Sequence, residues 1–125
     1  MVKPFGELVY SPENAPEEVK GKAETHAPKI EAPEKVKAGE AFKVTVKVGP
    51  HPSTPEHSIR WVELYYYEEG RAFNPVFVGR AFFAPGYMEP EVTFTMKVQK
   101  PGVLYALAYC NLHGLWESRK EIKVE

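Results

Sequence analysis

Apolar and polar residues alternate along much of this chain. Phe42, Val44, Val46 and Val48 recur at every second position with Lys43, Thr45 and Lys47 between them, which is the period of a strand with one buried face. Val92, Phe94, Met96 and Val98 repeat the arrangement, and Ile59 to Tyr67 is a denser run of aromatic and β-branched residues that predicts another strand. Ile30 to Val36 predicts a weaker strand, followed by a turn at Lys37-Ala38-Gly39-Glu40. Phe73 to Phe83, interrupted by Pro75 and Gly79, predicts a strand with an irregular start or a bulge. Val103 to Tyr109 and Trp116 to Val124 supply the last two. Six or seven strands, with turn signals about every ten residues and no amphipathic helix, predict an all-β antiparallel β-sandwich.

Two stretches break the alternation. Residues 1 to 28 hold Pro4, Pro12, Pro16 and Pro28 with little apolar periodicity, and predict a mostly irregular N-terminal arm with at most a short helix. Ser11-Pro12 is suited to cap a single helical turn there. The chain thus divides into an arm, 1–28, and a sandwich, 29–125, within one structural domain. Gly49-Pro50-His51-Pro52-Ser53-Thr54-Pro55-Glu56-His57 reads as a loop, because its prolines forbid both helix and central strand.

Composition narrows the function classes. The 125 residues are 43% hydrophobic and 26% charged, the make-up of a globular protein, and a formal charge of −1 leaves no electrostatic footprint for nucleic acid or a membrane surface. No apolar run reaches bilayer length, and Met1 to Glu7 lacks the apolar segment of a secretory signal, so a cytoplasmic location is expected. The chain has no aspartate, which excludes an aspartate-supported serine triad, and no phosphate-cradling glycine loop.

What remains is one cysteine and four histidines. His26 precedes the first strand, His51 and His57 lie in the proline-rich loop, and His113 follows Cys110 in Tyr109-Cys110-Asn111-Leu112-His113-Gly114. All four histidines fall in connections that a sandwich can gather at one end. Thiolate and imidazole together suit zinc, copper or iron. Four imidazoles and a thiolate are one ligand too many for a structural zinc site. A blue-copper site would use two histidines, the cysteine and an axial methionine, yet no methionine follows His113. Five ligands fit an ion that accepts six and leaves one position open, which favours iron. A cupredoxin-like electron-transfer protein without catalysis is the alternative, and a sandwich with a purely structural metal is a third reading.

The ordered segments Glu24-Thr25-His26, His51-Pro52-Ser53-Thr54-Pro55-Glu56-His57 and Tyr109-Cys110-Asn111-Leu112-His113-Gly114-Leu115-Trp116 closely resemble the motifs of superoxide reductase, of the single-iron neelaredoxin class. The resemblance runs from about residue 22 to 117. The extra four-cysteine iron domain of desulfoferrodoxin has no counterpart in a sequence with one cysteine. The resemblance implies an immunoglobulin-like sandwich and a mononuclear iron (Fe2+/Fe3+) with His26, His51, His57 and His113 in a plane and Cys110 below it. It implies one-electron reduction of superoxide to hydrogen peroxide, rubredoxin as electron donor, a homotetramer, and Glu24 as a ligand in the ferric state.

Residue chemistry adds further expectations. An anionic thiolate stabilises the higher oxidation state of iron. A Cys-x-x-His turn can aim the N–H groups of Leu112 and His113 at the sulfur. In an extended segment Glu24 and His26 would face the same side. The family's usual lysine between glutamate and histidine is Thr25 here, a hydrogen-bond donor without charge. Lys22 is the expected substitute for guiding superoxide, with Lys20 and Lys29 as weaker candidates. Trp61 and Trp116 are expected in the core, although both flank metal motifs, and Glu56 is either an acceptor for an imidazole or solvated.

Overall fold

The computed structural model describes residues 2–125. Eight strands form two sheets: β1 (Lys29–Glu31), β2 (Lys35–Val36), β3 (Phe42–Lys47), β4 (Ile59–Glu68), β5 (Val76–Phe82), β6 (Glu91–Met96), β7 (Gly102–Cys110) and β8 (Gly114–Val124). One sheet has the order β1-β3-β6 and the other β2-β8-β7-β4-β5, and every pairing is antiparallel except β2 with β8. The alternating positions read from the sequence face inward. Val44, Val46, Val62, Leu64, Leu104 and Ala106 are fully buried between the sheets. The sandwich expectation therefore holds, and the core sits where the period-two pattern placed it.

The weak strand expected over Ile30 to Val36 is two short strands in different sheets. Residues 32–34 between them include Pro33, which lacks the N–H a continuous ladder requires, so the chain crosses from one sheet to the other there. In the Phe73 to Phe83 segment, pairing begins only at Val76, and the register shifts between Leu64 and Tyr65 opposite Phe77 and Gly79. Gly79 is required at that position. A Cβ on it would lie 2.7 Å from the Phe94 ring of the facing sheet.

Topology brings the histidine-bearing connections to one rim. β4 starts where β7 ends, with Ile59 opposite Cys110, so loop 49–58 lies beside turn 111–113. β1 starts where β3 ends, with Lys29 opposite Lys47, so the segment leading into Lys29 arrives at the same rim.

The arm reaches that rim along β8. Phe5–Leu8 is a 3-10 turn, and Tyr10 then bridges Trp116 in parallel, its N–H donating to Leu115 O at 2.9 Å while its carbonyl accepts from Glu117 N–H at 2.8 Å. Ser11 caps a turn as its residue type suggests. Its Oγ accepts from Asn14 N–H at 3.1 Å, and Asn14 Oδ1 accepts from Ser11 N–H at 2.7 Å. A 3-10 turn, Lys20–Lys22, runs into a single α-helical turn, α1 (Ala23–His26).

The outer face of the five-stranded sheet departs from the polar pattern usual for a solvated antiparallel face. Trp61, Tyr65 and Tyr67 of β4 stand beside Tyr109, Tyr105 and Val103 of β7, and Trp61 stacks on Tyr109 with ring centroids 5.6 Å apart. Glu63 lies among them at 8% exposure, paired with Arg80. Trp61 thus belongs to this outer face rather than to the core.

Candidate metal centre

Each histidine is placed by backbone groups of its own connection. In α1 the Nδ1 of His26 is 3.0 Å from Lys22 O and 2.8 Å from Thr25 Oγ1. Donation from Nδ1 to that carbonyl leaves the Nε2 lone pair free. His51 is held the same way, its Nδ1 donating to Pro52 O at 2.8 Å. His57 closes a two-way turn with Thr54, N–H to carbonyl in both directions, reinforced by Thr54 Oγ1 accepting from His57 N–H at 3.0 Å. His113 leaves β7 three residues after Cys110, and its carbonyl accepts from the Trp116 indole N–H at 3.1 Å.

The four rings form a closed square. Successive centroid distances are 4.6 Å for His26–His51, 4.6 Å for His51–His57, 5.1 Å for His57–His113 and 4.9 Å for His26–His113, with each ring nearly edge-on to the next. The nitrogens point inward: His26 Nε2 is 3.2 Å from His51 Nε2 and 3.1 Å from His113 Nδ1. Cys110 Sγ, fully buried, lies 3.5 Å from His51 Nε2 and 3.7 Å from His113 Nδ1. Ligand atoms of His26, His51, His57 and Cys110 all fall within 4.8 Å of one another.

These spacings fit a metal. Bonds of about 2.0–2.1 Å from one ion to two imidazoles at right angles would put their nitrogens about 3 Å apart. His57 Nε2 is buried and has no hydrogen-bond partner, a state that is costly unless the nitrogen has a ligand to meet. Electrostatics points the same way. Burial pushes the His26 pKa down to about 4, helped by the neighbouring His51, His113 and Lys22 charges. Burial also lowers His51, and lowers His113 with help from the Lys22 ammonium. Neutral imidazoles are the ligand form.

The structure brings together all four histidines and Cys110, and leaves other residues apart. Glu24 is exposed and outside the cluster. The residues around it form a helical turn, and positions two apart on a helix point to different sides, so the extended-segment argument for Glu24 does not apply here. Thr25 Oγ1 is committed to Lys22 O at 3.2 Å and to His26 Nδ1, a buttress for that imidazole. Among the described residues no backbone N–H meets Cys110 Sγ. The turn instead sends Asn111 N–H to Ser58 O at 3.3 Å. Glu56 contributes its backbone carbonyl rather than its carboxylate, accepting from Asn111 Nδ2 at 2.8 Å. Trp116 is buried as expected, and its ring lies 5.6 Å from that of His26.

Asn111 is the main residue the sequence did not single out. Besides the bonds above, its Oδ1 accepts from Ser58 N–H at 2.9 Å, so one side chain stitches the Cys110–His113 turn to the strand entry after His57. Its place between Cys110 and His113 was the available signal, since asparagine commonly bonds backbone groups in turns.

Comparison with known proteins follows the same residues. The desulfoferrodoxin family model matches residues 18–119. A superoxide reductase of Pyrococcus horikoshii is 46% identical over 108 residues, covering 82% of this chain and 90% of that protein. The neelaredoxin of Megalodesulfovibrio gigas is 40% identical over 118 residues, covering 83% and 91%. A solved structure of a superoxide reductase (neelaredoxin) from Ignicoccus hospitalis superposes with a TM-score of 0.93 at 69% identity, covering 98% of this chain and all of that one. With a family model spanning the entire imidazole–thiolate cluster, the chain belongs to the desulfoferrodoxin family.

Proposed function

We propose that this protein is a superoxide reductase, converting superoxide, one electron and two protons into hydrogen peroxide at a mononuclear iron. The observation that carries the reading is the square of four inward-facing imidazoles with a thiolate against it and a partnerless buried nitrogen at His57. His26, His51 and His57 would bind through Nε2, His113 through Nδ1 and Cys110 through Sγ. Iron, when bound, supplies the single electron. Four imidazoles and a thiolate would suit an ion that accepts six ligands better than zinc, which prefers four in a tetrahedron.

Other residues take supporting roles. Thr25 orients His26. Lys22 guides the anion: its charge already acts on His26 and His113, and its side chain lies at the solvent edge of the arm. Glu24 serves as ferric-state ligand only by leaving its helical turn. The donor is a one-electron carrier of the rubredoxin type, and the location is cytoplasmic; no helix among the described residues is long and apolar enough to cross a membrane. The arm, 1–28, acts as part of one domain with the sandwich, 29–125. Self-association, to a homotetramer, is supported by the aromatic outer face, where Tyr67, Phe77 and Phe82 are 45%, 52% and 66% exposed around a neutralised Glu63–Arg80 pair. Tyr65→Glu is expected to lower the mass in analytical ultracentrifugation, and an unchanged mass would remove that face as the interface.

The cupredoxin-like alternative is not favoured. Such a site typically adds a long bond to a methionine, and Met96 packs in the core while Met88 is 44% exposed. The deciding experiment combines metal analysis with product stoichiometry. One iron per chain and one peroxide per superoxide are expected. Copper or zinc at one equivalent, or sustained oxygen release without a donor, would refute the reading.

A further inference from the structure

Two carbonyls at the metal rim have lost their natural partners. In a helical turn Glu24 O would accept from the N–H four residues on, but that residue is Pro28, which has none. Gly49 O lies beyond the β1–β3 ladder, whose last pair on that side is Lys29 with Lys47. Lys29 Nζ donates to both, at 2.7 Å to Glu24 O and 2.9 Å to Gly49 O. Glu24 is two residues before His26 and Gly49 two residues before His51, so the two carbonyls sit at matching places in two separate ligand connections. The Nε2 atoms of those histidines are 3.2 Å apart.

We infer that Lys29 is a positioning residue: its ammonium cross-links the arm's helical turn to the proline-rich loop, fixing the His26–His51 spacing and holding Glu24 in the helical, withdrawn form. The inference rests on the metal-site reading above. Lys29 acts through backbone carbonyls of the ligand-bearing segments. Charge-assisted bonds of this kind are stronger than neutral ones, and groups that orient metal ligands typically change metal affinity when removed. With the bridge gone, the arm's turn is free to unwind and Glu24 to approach the open face.

The test compares Lys29→Met, which keeps the stem and loses the donors, with Lys29→Arg, which restores donors, and Lys22→Met, which removes a nearby charge without removing this bridge. Each purified, iron-loaded protein is mixed with a ferrous chelator, and each oxidised protein is scanned in the visible range. Lys29→Met is expected to release iron on the order of tenfold faster than wild type. Its ferric band should also shift toward the glutamate-bound form, with Lys29→Arg and Lys22→Met staying near wild type in release. Release within twofold of wild type for Lys29→Met, or equally fast release from Lys22→Met, overturns the positioning role. Thermal melts of the metal-free variants separate general unfolding from loss of the bridge: equal midpoints with faster release support it, and a lowered midpoint without faster release overturns it. If the wild type proved to carry zinc or copper, the functional reading would fall, while the same release comparison on that metal would still decide the role of Lys29.

Discussion

The ligands come from two unlike halves of the molecule. His51, His57, Cys110 and His113 grow out of the ends of β3, β4, β7 and β8, and Asn111 joins their connections by three hydrogen bonds. His26 comes from a single helical turn of the arm, held by Lys22 O, Thr25 Oγ1, contact with Trp116 and the Lys29 bridge. The first half is built into the sheet ladder, so moving it means breaking strand pairing. The second is attached by a few local bonds and can move at lower cost. Rigidity thus fixes three imidazoles and the thiolate, while the fourth imidazole, His26, is carried by the segment that can move at lower cost.

The comparison is broken most severely from the rigid side. Cys110→Ser should abolish the ferric thiolate absorption and cripple superoxide reduction in pulse radiolysis, because no other described side chain supplies a thiolate. Persistence of both would contradict the ligand assignment. Asn111→Ala should lower the stability of the metal-free protein by roughly 1–3 kcal/mol in denaturant titration, since it strands the N–H of buried Ser58, while the exposed Glu56 carbonyl turns to water. Thr25→Ala, cutting a bond within the arm's turn, should cost less than Asn111→Ala; the reverse ranking would dissolve the distinction between halves.

A milder effect is expected from acid. His26 has its native pKa lowered from 6.5 to about 4, chiefly by burial. Between those values the unfolded chain binds a proton that the folded metal-free protein refuses, so stability should fall as pH drops from 6.5 toward 4 and level off below. His26→Gln should flatten that slope in melts across the range. An unaltered slope would place the acid sensitivity elsewhere. The smallest effect belongs to Lys22→Ala, expected to slow superoxide capture a few-fold and weaken its salt dependence. Stopped-flow rates unchanged at low ionic strength would remove Lys22 from that role.

Much of this was legible in the sequence, for physical reasons that can be named. The buried faces of β3 and β6 follow from alternation. His51 and His57 fall in a connection too proline-rich for a central strand, and Cys110 and His113 flank the tight turn between the last two strands, so their convergence on one rim was legible. The orientation of Glu24 was not legible. A one-turn helix is too short to show a 3.6-residue period, and an extended segment reads equally well from Glu24-Thr25-His26. The split of Ile30–Val36 at Pro33 hinges on which sheet each piece joins, a tertiary choice. Lys29 and Asn111 act on backbone carbonyls and amides distant in sequence, so nothing local marks them as more than a surface charge and a turn residue.

The way the arm is moored has a consequence for the protein without its iron. β8 is the longest strand, and its side away from β7 is covered by two short pieces, Tyr10 near Trp116 and β2 near Val124. A metal bound at His26 would add to the hydrogen bonds that hold Tyr10 on β8 a second fastening of the same arm. Losing the metal loosens that fastening, and an uncovered strand edge is a template on which another chain can add. The metal-free protein is therefore expected to aggregate more readily than the loaded one, through the stretch of β8 that Tyr10 covers.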